Sequence, residues 1–205
     1  MQIKTLSVGA LDTNCYLVWD EERRGLVIDP GDEAPRLLRM IEALDLTIDA
    51  VLLTHAHFDH MQAAGALCEA TDARLLVGAE DAAALADASR NLSGLFGDIQ
   101  PISLSADRLL CEGDVVTVGS NCLTVWQTPG HTPGSLCLLG DGVVFSGDTL
   151  FAGSCGRVDF PGGDSVAMRQ SLQRLASLPT DWRVYPGHGL STQIGQERDT
   201  NPYMR

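Results

Sequence analysis

Thr54-His55-Ala56-His57-Phe58-Asp59-His60 packs three imidazoles and a carboxylate into a few residues. It follows the apolar run Ala50-Val51-Leu52-Leu53 and precedes a helix-like segment from Met61 to Ala70. If Val51 to Thr54 is a buried strand, the chain leaving it is still extended, and His55 and His57, two residues apart, point to the same side. They can share one metal ion. Asp59 and His60 fall where the backbone turns into the helix and adjacent side chains diverge, so this pair suits a second ion beside the first. Neutral imidazole suits zinc, iron or manganese, and the carboxylate hardens the set toward oxygen-preferring ions. The alternative is a His-rich surface turn.

Outward from this motif, the chain alternates strands and helices. Strands are expected at Ile3 to Val8, Cys15 to Trp19 and Gly25 to Ile28, the last ending in the turn Asp29-Pro30-Gly31. A helix follows with Asp32 as its cap and Leu37, Leu38, Met40, Ile41 and Leu44 at helical spacing. Arg74 to Val77 reads as strand, Glu80 to Ala88 as Ala-rich helix, and Ser89 to Gly97 as a surface loop able to shape a pocket or merely to connect. The second half offers strands at Val115 to Val118, Leu123 to Gln127, Ser135 to Leu139 and Val143 to Ser146. An amphipathic helix from Ser165 to Leu178 and a short strand, Arg183 to Tyr185, complete it. Strand-rich blocks between helices predict a layered α/β fold with sheet at its centre. No linker or low-complexity stretch divides the chain, so residues 1 to 205 read as one domain, with at most a pseudo-symmetric boundary near residue 105.

The chain carries 205 residues, enough to bury a core without staples. Its six cysteines (15, 68, 111, 122, 137 and 155) lack paired metal-ligand spacing and read as reduced, mostly buried thiols, which favours the cytoplasm. The opening Met1-Gln2-Ile3-Lys4-Thr5 shows no basic segment followed by a long apolar one, and no apolar run reaches membrane-spanning length. We therefore expect no export signal and no membrane partner. A net charge of −13 without clustered Lys and Arg argues against a nucleic-acid partner and leaves a small molecule as the expected one.

The remaining histidines, His131 and His188, each sit in Pro-Gly-His just after a strand, where Gly permits a tight turn that presents the imidazole. A third strand, Val143 to Ser146, ends in Gly147-Asp148. Four strand ends thus offer His55, His57, Asp59 and His60, then His131, Asp148 and His188. Open α/β sheets bind ligands at strand ends, so convergence on one edge would make a site. Any one of these histidines alone could be a core residue. All five taking such positions points to metal.

In these residues the chain resembles a metallo-β-lactamase-superfamily hydrolase, whose His-x-His-x-Asp-His motif, two later histidines and bridging aspartate it matches along essentially its whole length. The resemblance implies an αββα sandwich with the site at one edge between two sheets. It also implies His55, His57 and His131 around a first metal, Asp59, His60 and His188 around a second, and Asp148 with a hydroxide bridging them; two ions, zinc foremost, iron or manganese otherwise, would activate that water. Asp59 and Asp148 are the expected catalytic carboxylates. Asp29 matches a position the family uses behind the ligands, the alternative being a simple turn residue. Within the superfamily the chain is most similar to glyoxalase II, the hydroxyacylglutathione hydrolase, and its short bacterial relatives, through Thr13-Asn14-Cys15-Tyr16, Thr128 to Gly134, and Gly147 to Phe151 leading to Cys155-Gly156-Arg157. Arg157 then matches a basic residue that holds the carboxylate end of glutathione, with a surface charge as the alternative, and Cys155 reads as a packed residue rather than a nucleophile.

The chain departs from glyoxalase II in three places. The extra C-terminal helical region is not expected, Gly189-Leu190-Ser191-Thr192 stands where an acidic residue and a tyrosine follow the histidine, and the aromatic expected two residues past Arg157 is Asp159, with Phe160 adjacent. A thiolate can leave without a proton whereas an amide nitrogen cannot, so thioesters are the natural substrates, then esters. The rival enzyme is a persulfide dioxygenase, which the resemblance would give one iron held by His55, His131 and Asp148; a non-catalytic metal-binding protein is the rival outside enzymes.

Overall fold

The computed structural model describes residues 1–95 and 102–205. Its first sheet has the order β1 (Gln2–Val8), β2 (Thr13–Trp19), β3 (Arg24–Ile28), β4 (Thr47–Leu52), β5 (Arg74–Gly78) and β6 (Arg108–Leu110). The first three strands are antiparallel neighbours and the rest run parallel to β3. Parallel pairing needs crossovers. α1 (Ala34–Ala43) makes the first, and the pair α2 (Phe58–Met61) and α3 (Ala64–Thr71) makes the second.

The second sheet holds β7 (Val115–Val118), β8 (Asn121–Gln127), β9 (Leu136–Gly140) and β10 (Val143–Gly147). After β10 the two-stranded ribbon β11 (Leu150–Phe151) and β12 (Ser154–Cys155) leads to α4 (Ser165–Leu175). The chain then returns as β13 (Arg183–Pro186), parallel to β10, with β14 (Thr192–Gln193) on the edge and α5 (Ile194–Thr200) behind. The sheet order is β14-β13-β10-β9-β8-β7.

Strand alternation sorts the apolar residues into three buried layers. Cys15, Leu17, Val27, Leu75 and Val77 face one way and pack with Leu37 and Ile41 of α1 and Leu67 of α3. Tyr16, Val18, Leu26, Ile28 and Leu76 face the other way and meet Val125, Leu136, Leu138 and Phe145 of the second sheet. The far side of that sheet, with Cys137, Leu139, Val144 and Val184, takes Met168, Leu172 and Leu175 of α4 and Ile194 of α5. Helix, sheet, sheet and helix thus stack in four layers, as the resemblance implies. No described helix is long and apolar enough to cross a membrane.

Several local expectations change. The cap of α1 is Glu33, in a left-handed conformation, and Asp32 accepts the Glu33 N–H at 2.6 Å instead of capping the helix. The expected Met61 to Ala70 helix is broken, because the Ala63 N–H bonds to the Pro30 carbonyl at 2.9 Å. Ala79–Ala86 is 3₁₀ rather than α, and α4 ends at Leu175 although Leu178 stays buried. In the expected surface loop, Asn91, Leu92 and Ser93 are buried, and positions 96 and 97 lie outside the described residues. The first sheet extends to Leu110, so the seam between the halves falls after residue 105. Cys15 and Cys137 are buried, Cys68 and Cys155 half-buried, and Cys111 and Cys122 exposed, so the thiols are less buried than expected.

Candidate metal centre

The seven expected donors meet at one edge of the sandwich, four from the first sheet's β4 exit and three from ends of the second sheet. Tight local packing brings them there. The Asn14 side chain donates to the carbonyls of Pro186 and Gly189 at 3.0 and 2.9 Å, its N–H bonds to Gly187 O at 2.7 Å, and Tyr16 Oη donates to Pro186 O at 2.6 Å. The Thr13-Asn14-Cys15-Tyr16 stretch therefore fastens the His188 loop of one sheet to the other. Of the two Pro-Gly-His glycines, Gly130 has a positive φ of 145°, while Gly187 is small for another reason. A Cβ there would lie 2.1 Å from Asp148 Oδ1. Gly156 similarly lies against the Asp148 carbonyl and Gly31 against that of Asp59, each leaving only 1.8 Å for a Cβ.

His55, His57 and His131 form one buried group, and Asp59, His60 and His188 form a second in which only His60 is buried. In the second group His60 Nε2 and His188 Nε2 are 3.3 Å apart, His188 Nε2 and Asp59 Oδ2 3.2 Å, and His60 Nε2 and Asp59 Oδ2 3.5 Å. Ligand bonds of about 2.0–2.1 Å in tetrahedral directions separate donor atoms by about 3.3 Å, so this triangle has the size of a coordination face. Asp148 reaches both groups: Oδ1 is 3.4 Å from His60 Nε2, and Oδ2 is 3.5 Å from His131 Nε2 and 3.6 Å from His188 Nε2. Nε2 of His55, His57 and His131 and Oδ1 of Asp148 are buried with no hydrogen-bond partner. Such orphans cost free energy unless something binds them. The donor set fits divalent cations.

The opposite ring nitrogens are anchored. His131 Nδ1 donates to the Arg157 carbonyl at 2.7 Å and His188 Nδ1 to the Leu11 carbonyl at 3.1 Å, which turns the Nε2 lone pairs toward the cluster. Asp29, at φ 50°, lies behind the ligand candidates: it accepts Thr54 N and Oγ1 at 2.7 and 2.6 Å and pairs with His60 Nδ1 at 3.0 Å. Thr54 Oγ1 in turn stands 3.2 Å from His55 Nδ1.

Electrostatics divides the cluster. Burial, then the neighbouring imidazoles, pushes His55 well below the ordinary histidine value, and burial with His131 takes His57 down to about 3, so both are neutral donors. Burial opposes charge on His60 as well, but Asp59, Asp148 and Asp29 outweigh it and raise the pKa to about 10. His188 is raised the same way, its burial outweighed by Asp59 and Asp148. For Asp59, burial is overcome by His60 and His188, which hold the carboxyl below its usual range.

A cleft of about 440 Å³ opens over the cluster, walled by Leu11, Phe58, Leu92, Phe151, Phe160 and Arg157. Arg157 is exposed, makes two 2.7 Å bonds to Asp159, and lies 3.8 Å over the Phe160 ring, which itself meets His57 edge-on at 6.0 Å. Phe160 thus supplies an aromatic wall beside Arg157, one residue later than expected. Cys155 lines the cleft half-buried with its pKa raised by burial, which keeps it a thiol.

Two further carboxylates hold the loops in place. Buried Asp81 accepts Ala56 N at 3.0 Å, Thr132 Oγ1 at 2.8 Å and Gly134 N at 2.7 Å, joining the loops of His57 and His131. Fully buried Glu197 accepts Gly153 N at 2.7 Å, and Asn201 donates to Ser154 O at 2.9 Å, which fixes the β11–β12 ribbon along the cleft. Both bind backbone groups distant in sequence, and side chains as well, and so leave no sequence signal.

A family model described as the metallo-beta-lactamase superfamily matches residues 8–188. The hydroxyacylglutathione hydrolase GloC of Haemophilus influenzae is 36% identical over 208 residues, covering 100% of this chain and 98% of its own. The crystal structure of the BLEG-1 B3 metallo-beta-lactamase aligns with a TM-score of 0.94 at 35% identity over 99% of both chains. TTHA1623, solved in a di-iron-bound form, aligns at 0.88 with 40% identity over 98% of this chain and 99% of its own. Because the matched span runs from the end of β1 to the last histidine of the cluster, this chain belongs to the metallo-beta-lactamase superfamily.

Proposed function

We propose that this chain is a dinuclear metal-dependent hydrolase of thioesters, or of esters, close in reaction to hydroxyacylglutathione hydrolase. The observation that carries the proposal is the Asp59, His60 and His188 triangle set beside His55, His57 and His131, with Asp148 reaching both. The two groups would each hold one ion and Asp148 would lie between. Zinc is the expected metal, and the di-iron relative supports iron as the other choice.

When bound, the pair of divalent ions would acidify a shared water and polarise the carbonyl under attack. The protein's own groups do the rest. Asp59, ionised and also accepting Thr13 Oγ1 at 3.2 Å, is placed to take the proton of the attacking water. The apolar walls of the cleft hold an acyl group against the cluster, and Arg157 is placed for an anionic end of the substrate. Ser154 and Cys155 are the neutral O–H and S–H groups of the wall, neither suited to protonate a departing amide nitrogen, whereas a thiolate needs no such help. The GloC relative's name supports a glutathione thioester. Six unpaired cysteines support a reducing, cytoplasmic setting.

The test is kcat/KM for S-D-lactoylglutathione on protein loaded with two metals per chain. A value on the order of 10⁴ M⁻¹s⁻¹ or more supports the glutathione thioester. Hydrolysis of other thioesters alone keeps the hydrolase and removes glutathione, and no hydrolysis of any thioester or ester overturns the proposal.

A further inference from the structure

A second cavity of about 790 Å³ lies between the Cys155 to Val158 segment, α4 and residues 202–205, and none of the seven donor candidates lines it. It is larger than the catalytic cleft and shares only Cys155 and Arg157 with it. Its floor is apolar, made by Val158 and by Met168 and Leu172, which are 3% and 2% exposed. Its rim carries Arg157, Arg169 and Arg205 and no Asp or Glu. That is a local inversion of charge in a chain of net charge −13.

The three arginines are not equivalent. Asp159 occupies the Arg157 fork with two hydrogen bonds. Neither Arg169 nor Arg205 makes a salt bridge to a carboxylate among the described residues, and Arg205 is steadied by one bond to the Asp199 carbonyl at 2.7 Å. Two guanidinium groups free for an anion therefore stand above a greasy floor, in a space of the size that encloses a small organic ligand.

We propose that this cavity binds an organic anion carrying an apolar stem, its head on Arg169 and Arg205 and its stem on Val158, Met168 and Leu172. None of the seven donor candidates lines this site, and the proposal does not depend on the hydrolase reaction. A carboxylate and a phosphate monoester share the required chemistry.

Calorimetric titration of the metal-loaded protein with a carboxylate series from butanoate to octanoate, with octyl phosphate, and with acetate and inorganic phosphate tests this. Affinity should climb with stem length, up to roughly fourfold per buried methylene, with acetate and inorganic phosphate at least tenfold weaker than their octyl counterparts. The tighter of octanoate and octyl phosphate identifies the head group. The double variant Arg169→Ala, Arg205→Ala alters exposed side chains only and should weaken that ligand about tenfold or more. Affinity independent of stem length, or unchanged in the double variant as it would be for an anion held at the metal centre, overturns the proposal.

Discussion

Asp81 accepts the hydroxyl of Thr132 across 2.8 Å, and through that bond the loop after β9's predecessor, β8, is tied to the 3₁₀ segment that also supports Ala56. Two histidine loops from different sheets thus depend on one buried carboxylate. Asp81→Ala strands the N–H groups of Ala56 and Gly134 and should cost roughly 2–5 kcal/mol, with weaker metal retention. Asp81→Asn keeps an acceptor and should lose less. Urea midpoints and metal content of the two variants check this; equal stability of Asp81→Ala and the unaltered chain would refute it.

Removing His57 should lower metal content and activity in parallel, because its ring is one of three in the first donor group. A His57→Ala protein with full activity would sink the site assignment.

Stripping metal with a chelator should lower the melting temperature. Ligands that bind only the folded state stabilise it by about 4 kcal/mol at a thousandfold excess over Kd, or roughly 10 °C for a chain of this size. Calorimetry before and after chelation, with zinc, iron or manganese added back, measures the loss and its recovery. An unchanged midpoint would show that the donors bind nothing tightly.

Arg157 presents a charge already engaged by Asp159, both of them exposed. Arg157→Ala should raise KM for an anionic thioester with a smaller change in kcat, since it removes binding common to substrate and transition state. Asp159→Asn releases the fork and should lower that KM by roughly a few-fold, exposed pairs being weak. Steady-state kinetics with an anionic and a neutral thioester separate the two, and identical KM values across all three proteins return Arg157 to a surface charge.

Buried Asp20 accepts the N–H groups of Ser120 at 2.8 Å and of Arg24 and Glu22 at 3.0 Å, linking the turn after β2 to the turn between β7 and β8. The Ser120 bond foremost lowers its pKa from the ordinary carboxylate value. The unfolded chain takes this proton near pH 3.9 and the folded chain only below that. The stabilisation is therefore complete above about pH 5 and is lost as pH falls through the lowered folded value. The stability gap between the unaltered chain and Asp20→Asn should hold from pH 7 to about 5 and close toward pH 3. A gap indifferent to pH in urea denaturation would contradict it.

The donor candidates were legible in the sequence because metal binding demands particular side chains, and His55, His57, Asp59, His60, His131, Asp148 and His188 are of those types and meet at one edge of the fold. The strands were legible from alternation: Leu17 and Val18 fall into different layers as their spacing requires. The supports were not. Asp81, Glu197 and Asn201 bind backbone groups whose positions exist only after the sheets have formed. The Ala-rich stretch after β5 has helix propensity, yet Asp81 is held by Thr132 and Gly134 and the segment stays 3₁₀. The polar neighbours of Asn91 suggest a surface loop, whereas its carbonyl accepts Phe58 N at 2.8 Å and roots the start of α2.

Gly31, Gly156 and Gly187 press so closely on Asp59 and Asp148 that none can acquire a side chain without displacing a ligand candidate. Variation is thereby partitioned in space. The chemistry of the centre is closed to gradual substitution from those three directions, while the walls at Leu11, Phe151 and Phe160 can change one side chain at a time. New substrates in this scaffold would arise at the rim of the cleft, over a floor held constant by residues with no side chain at all.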